Sequence, residues 1–123
     1  MTDVVCAVIK NGIGEVLLAR RSSKRDIGKW EFPGGKVSLG EDLLTATERE
    51  INEELGIHIQ AIQKLHSLQY AKFNLYFIES ILIDGSSEPV LKEHDQIEFF
   101  QTQEIPLDQL TPGDREFVIS QLI

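Results

Sequence analysis

Residues 35–57 read GKVSLGEDLLTATEREINEELGI. Five residues separate Gly35 from Glu41 and seven separate Glu41 from Arg49, after which the run closes into REINEELGI. The spacing predicts a helix that starts near Gly40 or Glu41 and ends near Leu55. Glu41 and Asp42 suit its positive end, and Gly56 suits a left-handed C-cap. Leu44, Ile51 and Leu55 share one narrow sector at helical periodicity, so that side faces a core. Glu50, Glu53 and Glu54 lie three and four residues apart and therefore share another side. Like charges at that spacing repel. A plain solvated face would gain more from mixed signs, whereas a hard divalent cation removes the conflict by taking oxygen ligands. Arg49 stands four residues before Glu53, within reach to hold the carboxylates in place. Just upstream, Pro33-Gly34-Gly35 permits a tight backbone path close to a ligand, and the Gly34 carbonyl is a further candidate metal ligand.

Working outward, residues 3–10 are β-branched and read as a strand, NGIGE at 11–15 as a turn, and 15–20 as the second arm of a hairpin. WEF at 30–32 is a short apolar segment stopped by Pro33, Gly34 and Gly35, with residues 36–40 as a loop. Residues 57–70 lean to strand, 72–83 read clearly as strand, 84–89 as a turn, and 96–100 as a short strand. Leu107–Leu110 suggests a helical turn. Thr111-Pro112 resembles a cap followed by proline at the first helical position, leading a terminal helix over 114–122 with Phe117, Val118, Leu122 and Ile119 available for packing. Strands, helix, strands, helix imply an α/β fold, a mixed sheet with helices on its faces. One domain over residues 1–123 is expected from the chain length.

The formal charge is −8. No basic stripe is present to neutralise a nucleic-acid backbone, so a polymer partner is not expected. No apolar run approaches a membrane span, and the first ten residues lack the features of a signal peptide, so a cytoplasmic setting is expected. Cys6, the one cysteine, reads as a buried strand residue. The basic residues Arg20, Arg21, Lys24, Arg25, Lys29 and Lys36 all precede the acidic helix and read either as a solvated loop or as a rim facing phosphates.

Taken together, residues 35–57 resemble the signature of the Nudix hydrolases, in particular the MutT-like branch. That signature is Gly, five residues, Glu, seven residues, Arg-Glu, an apolar residue, any residue, Glu-Glu, any residue, Gly and an apolar residue, and it is matched without departure. The resemblance implies an α/β/α sandwich that hydrolyses a nucleoside diphosphate linked to another group. It implies that Glu50, Glu53 and Glu54 bind Mg²⁺, with Mn²⁺ as a substitute, assisted by the Gly34 carbonyl and by Glu41, while Arg49 orients the carboxylates. A further acid in such enzymes lies just before the strand that leads to the last helix. Glu93 matches it, also as a possible general base, with His94, Asp95 and Glu98 as neighbouring alternatives. Arg21, or its neighbour Arg20, resembles the arginine that grips phosphates, and Lys36 is a further phosphate contact.

For the base, the resemblance points to Asp114 at the start of the last helix, where an Asn or Asp reads the base edge, and to Phe32. Tyr76, Tyr70 and Phe73 are aromatic candidates for stacking. The implied substrate is a nucleoside triphosphate cleaved to monophosphate and pyrophosphate, with an oxidised purine such as 8-oxo-dGTP as the first expectation. This would be nucleotide-pool sanitisation, a branch of DNA repair. CTP, dCTP or a modified pyrimidine triphosphate is the alternative, and ADP-ribose or a dinucleoside polyphosphate is another. A catalytically silent Nudix domain that binds nucleotides or proteins would have been expected to lose motif glutamates. Monomer and homodimer both remain open.

Overall fold

A computed structural model of the chain describes residues 1–83 and 88–123. The turn expected at 84–89 falls largely outside these. Among the described residues, seven strands and two α-helices follow one another as β1 (Thr2–Lys10), β2 (Val16–Arg21), β3 (Trp30–Glu31), β4 (Gly34–Lys36), α1 (Leu43–Leu55), β5 (Ile59–Tyr70), β6 (Phe73–Leu82), β7 (His94–Phe100) and α2 (Pro112–Phe117). The mixed sheet runs β3-β2-β1-β6-β5, with β4 paired to β1 and β7 paired to β2. Among the described strands, β1 and β6 are the parallel pair, over nine residue pairs.

β1 is the organising strand. Its buried run Val5–Ile9 has the near-continuous apolar character of a strand covered on both faces. One edge is taken by β6. The other edge is divided: Val4–Cys6 pair with β4 and Lys10 pairs with Val16 of β2. Between these stretches the Ala7 N–H donates to the Pro33 carbonyl at 2.8 Å. The split turns the Gly-Gly segment away from β2 and toward α1.

On one face α1 buries Ile51 and Leu55 against Ala7, Ile9, Leu17 and Ile59, and Ala46 against Val5, Ala61 and Ile78. On the other face Phe117 of α2 and the Val118 that follows it lie over Cys6, Val8, Phe32 and Phe77. Phe77 and Phe117 stack with ring centroids 4.0 Å apart, and Phe32 meets both edge-on at 6.1 and 5.6 Å. Such pairs add roughly 0.5–1.5 kcal/mol each beyond burial. Among the described residues, no helix is long and apolar enough to cross a membrane.

Several elements differ from expectation. α1 begins at Leu43 because the Asp42 carboxylate accepts from the Thr45 N–H at 2.8 Å, an N-cap that leaves Glu41 outside the helix. Its other end is as expected, with Gly56 at φ 67°. Residues 34–36 form a strand rather than a stop, because glycine is what lets this segment lie against β1. A Cβ on Gly34 would stand 1.8 Å from the Val5 carbonyl oxygen. The terminal helix starts at Pro112 and widens to π-helical hydrogen bonding over Val118–Leu122, which leaves Ile119 exposed rather than packed.

Candidate active site

Where β1 changes neighbours, a cavity of about 810 Å³ opens. Glu50, Glu54, Gly34, Gly35 and Lys36 line it from the side of α1. Phe73, Leu75, Gly113 and Asp114 line it from the side of α2, and Arg21, Lys24, Glu93 and His94 come from the loops and strand beyond. The cavity therefore joins a charged compartment to an apolar one across the end of the sheet.

The charged compartment is built on glycine. A Cβ on Gly35 would fall 1.9 Å from a carboxylate oxygen of Glu50, so the first signature residue is small to make room for a signature glutamate. Arg49 then acts as a hub. Its Nε and Nη2 donate to Glu41 at 2.7 and 2.8 Å, its Nη1 to Glu50 at 2.8 Å and Glu53 at 3.0 Å, and its Nη2 also to the Lys36 carbonyl at 3.1 Å. A planar guanidinium with five donors is suited to such a task and a lysine is not. The hydrogen bonds from Arg49, with that from the Ser38 N–H, hold the Glu41 carboxyl down to about 2. Glu41 thus reaches the cluster through Arg49, from the loop before the helix.

Glu54 is different. One of its carboxylate oxygens is buried without a hydrogen-bond partner. Burial raises its pKa, and the charges of Glu93 and Glu50 raise it further. Glu93 is instead held low by the Lys24 ammonium that bonds it. An orphaned buried oxygen among like charges, all of them hard oxygen donors, fits a divalent cation of the Mg²⁺ or Mn²⁺ type. Among the described residues no three such side chains are already gathered at metal-holding distances. Arg49 draws Glu50 and Glu53 to itself, and Lys24 draws Glu93. Glu53, more than half exposed in its side chain, is the least enclosed of the signature acids.

In the apolar compartment, Asp114 is 5% exposed and its Oδ2 accepts from the Phe32 N–H at 2.7 Å. Burial first, and the Glu31 charge second, push its pKa up to about 8. Cys6, also lining the cavity, has a thiol pushed well up by burial and by the charges of Asp114 and Glu31.

Other expected contacts lie elsewhere. Arg20 pairs with Asp95 at 2.8 Å with its guanidinium over the Trp30 ring, on the outside of the sheet, whereas Arg21 lines the cavity. Tyr76 alternates to the opposite face of β6 from Leu75 and Phe77 and packs with Val5, Ala46, Ala61 and Ile78. Tyr70 and Phe73 are the aromatic residues of the trio that line the cavity. Glu98 is exposed on β7. Glu31 went unnoticed in the sequence, and His94 figured there only as a rival to Glu93. Glu31 Oε2 accepts from Arg21 Nη1 at 2.9 Å and lies 2.8 Å from His94 Nε2. The available signal for Glu31 was a carboxylate set between two large aromatic residues, Trp30 and Phe32, both of which are buried.

The NUDIX domain family model matches residues 1–121. Over 58 residues the chain is 48% identical to the CTP pyrophosphohydrolase of Escherichia coli K12, covering 46% of this chain and 42% of that one. Over 69 residues it is 35% identical to the 8-oxo-dGTP diphosphatase of the same organism, covering 55% and 54%. The matches thus span about half the length of these relatives. The crystal structure of a MutT NUDIX hydrolase from Burkholderia pseudomallei superposes with a TM-score of 0.76 at 26% identity, covering 99% of this chain and 98% of that one. A mixed sheet between α1 and α2, an Arg49 hub that ties the signature acids together, and a family match over nearly the whole length lead to one assignment: the chain belongs to the NUDIX domain family.

Proposed function

We propose that the chain hydrolyses a nucleoside triphosphate to nucleoside monophosphate and pyrophosphate in a reaction that depends on Mg²⁺, as a single NUDIX unit acting on free nucleotides. The observation that carries this reading is the continuity of the cavity. Carboxylates and the cations Arg21 and Lys36 share one cavity with Phe73, Leu75 and the buried Asp114, so the two parts of a nucleotide find complementary surroundings in one space. Glu50, Glu54, Glu93 and the Gly34 carbonyl would hold the cation, with Glu53 joining once Arg49 releases it. A bound divalent cation supplies charge neutralisation of the polyphosphate and a more acidic water. Arg21 and Lys36 bind phosphate oxygens, Arg49 keeps Glu50 oriented, and Glu93 accepts the proton of the attacking water, whose attack on the β-phosphorus would release the monophosphate.

For the base, the Phe32 N–H can only donate, so it occupies a lone pair of Asp114 Oδ2. With its proton on Oδ1, the neutral acid would offer one donor beside the remaining acceptor capacity. That pair complements O6 and N1–H of a guanine-type ring, which supports an 8-oxo-dGTP-type purine as the first substrate. It also complements N3 and the amino group of cytosine. The 48% identity to a CTP pyrophosphohydrolase keeps cytosine nucleotides as the second reading. Pyrophosphate release with Mg²⁺, compared as kcat/KM for 8-oxo-dGTP, dGTP, CTP, dCTP and 5-methyl-dCTP, decides between them. Preference for 8-oxo-dGTP over dGTP supports the first, preference for cytosine nucleotides replaces it with the second, and turnover of none refutes both.

A further inference from the structure

β7 does not pair evenly with β2. Val16↔Phe100 through Arg20↔Gln96 are in step, but the next pair is Arg21↔His94, so Asp95 is an extra residue on β7. Such a bulge bends its strand and re-aims the side chains beside it. Here Asp95 turns out to Arg20, while the His94 side chain is only 3% exposed and lines the cavity. His94 Nε2 meets Glu31 Oε2, and that same oxygen accepts from Arg21. Three strands, β2, β3 and β7, are therefore tied together at the bulge by side chains that are each less than one-fifth exposed. The residue before the bulge is Glu93. Its carbonyl accepts from the Ser22 N–H at 3.1 Å, and its carboxylate lines the cavity with Glu50 and Glu54.

We infer that His94 is a positioning residue: its hydrogen bond to Glu31 locks the β7 bulge and thereby delivers the Glu93 carboxylate to the acidic compartment. Glu93 lies on an approach to a strand rather than within one, so its backbone lacks a ladder on both sides. The Ser22 bond fixes it from one direction and the His94–Glu31 bond fixes the following residue. Without the second anchor, Asp95 could return to register opposite Arg21. A one-residue slip rotates the preceding side chain to the other face of the strand.

The inference rests on the proposed role of Glu93 as a metal-binding acid, and the test separates the two. His94→Phe keeps the ring volume and removes the donor, whereas His94→Gln places a side-chain N–H near the position of Nε2. Amide exchange at Ser22, read in protein free of metal and nucleotide, reports the Glu93 anchor directly. It should quicken in H94F and stay close to the parent rate in H94Q. Mn²⁺ binding to the nucleotide-free protein should weaken by about tenfold or more in H94F. With the nucleotide the parent prefers, kcat should fall by a similar factor with little change in KM, and H94Q should regain most of both. Unchanged Ser22 exchange in H94F overturns the inference, as does an H94Q that behaves like H94F, which would assign the imidazole a direct contact with substrate. A parent protein that neither binds Mn²⁺ nor turns over a nucleotide refutes the proposed function instead, and the Ser22 exchange rates still decide the positioning role.

Discussion

Replacing Asp114 by Asn should stabilise the protein, and by a margin that grows with pH. The buried carboxyl titrates near 8 in the folded chain against 3.8 for an ordinary aspartate. Between those values the native state holds a proton that the unfolded state has released. Stability from this group is therefore full below about pH 4, falls as pH rises toward 8 and levels off above it. With a rigid pocket, the cost to the parent is about 1 kcal/mol at pH 4.5 and about 4 kcal/mol at pH 7, from 1.36 kcal/mol per pH unit. Asn keeps an oxygen for the Phe32 N–H and carries no titrating group. The advantage of D114N over the parent should thus grow by up to about 3 kcal/mol between these two pH values. Urea unfolding of both proteins from pH 4.5 to 8.5 measures it, and every other titrating group largely cancels in the difference. A difference that stays flat across that range would refute the buried-acid reasoning. In the parent, kcat/KM for the preferred nucleotide should also decline above pH 8, as ionisation removes the Oδ1 donor.

The two signature-region glycines should fail in different ways. Gly34→Ala drives a Cβ into the Val5 carbonyl and should cost stability by about 3 kcal/mol, at the upper end of overpacking effects, by chemical denaturation, because backbone must move. Gly35→Ala meets the movable Glu50 carboxylate, so it should unfold nearly like the parent yet lose about tenfold or more in kcat. Glu54→Gln relieves like-charge repulsion in the charged compartment and should raise the thermal midpoint slightly while nearly abolishing Mg²⁺-dependent turnover. Parent-like turnover would remove Glu54 from the metal-binding set. Arg49→Lys cannot serve Glu41, Glu50, Glu53 and the Lys36 carbonyl at once, and kcat should drop by about tenfold or more. A parent-like kcat would show that the carboxylates need no hub.

Legibility in the sequence followed how local the physics is. α1 was readable because its apolar sector, its acidic sector and the Gly56 cap all lie within one short run. β1 and β6 were readable from β-branched and aromatic runs. β4 was not, since Gly34-Gly35-Lys36 has no strand propensity and becomes a strand only because Gly34 can lie against the Val5 carbonyl of β1 while Gly35 leaves room for Glu50. Arg20 and Arg21 are indistinguishable as a dipeptide, and the bulge opposite them determines which turns to Asp95 and which to the cavity. Tyr70, Phe73 and Tyr76 all suit a strand. Separating Tyr76 from the cavity required knowing which face of β6 meets α1, a long-range fact. Glu31 and His94 are paired across 63 positions, beyond any periodicity.

The same helix does two jobs that conflict, and the loop before it reconciles them. α1 must bury Ile51 and Leu55 while holding Glu50, Glu53 and Glu54 close enough to repel one another. Unaided, that repulsion would fall on the helix itself. The Glu41 carboxylate, lying outside the helix, shares the Arg49 guanidinium with Glu50 and Glu53, so one cation serves three acids and is anchored from a second segment. Arg49 therefore supplies the positive charge that those three acids share, and it does so without touching the orphaned oxygen of Glu54. The arrangement holds Glu41, Glu50 and Glu53 together in an acidic compartment and leaves Glu54 outside the Arg49 hub, with the Lys24 charge offsetting only part of its burial and repulsion. In this reading Glu54 is where added positive charge gains most, because desolvation and its like-charged neighbours both act against its ionised form.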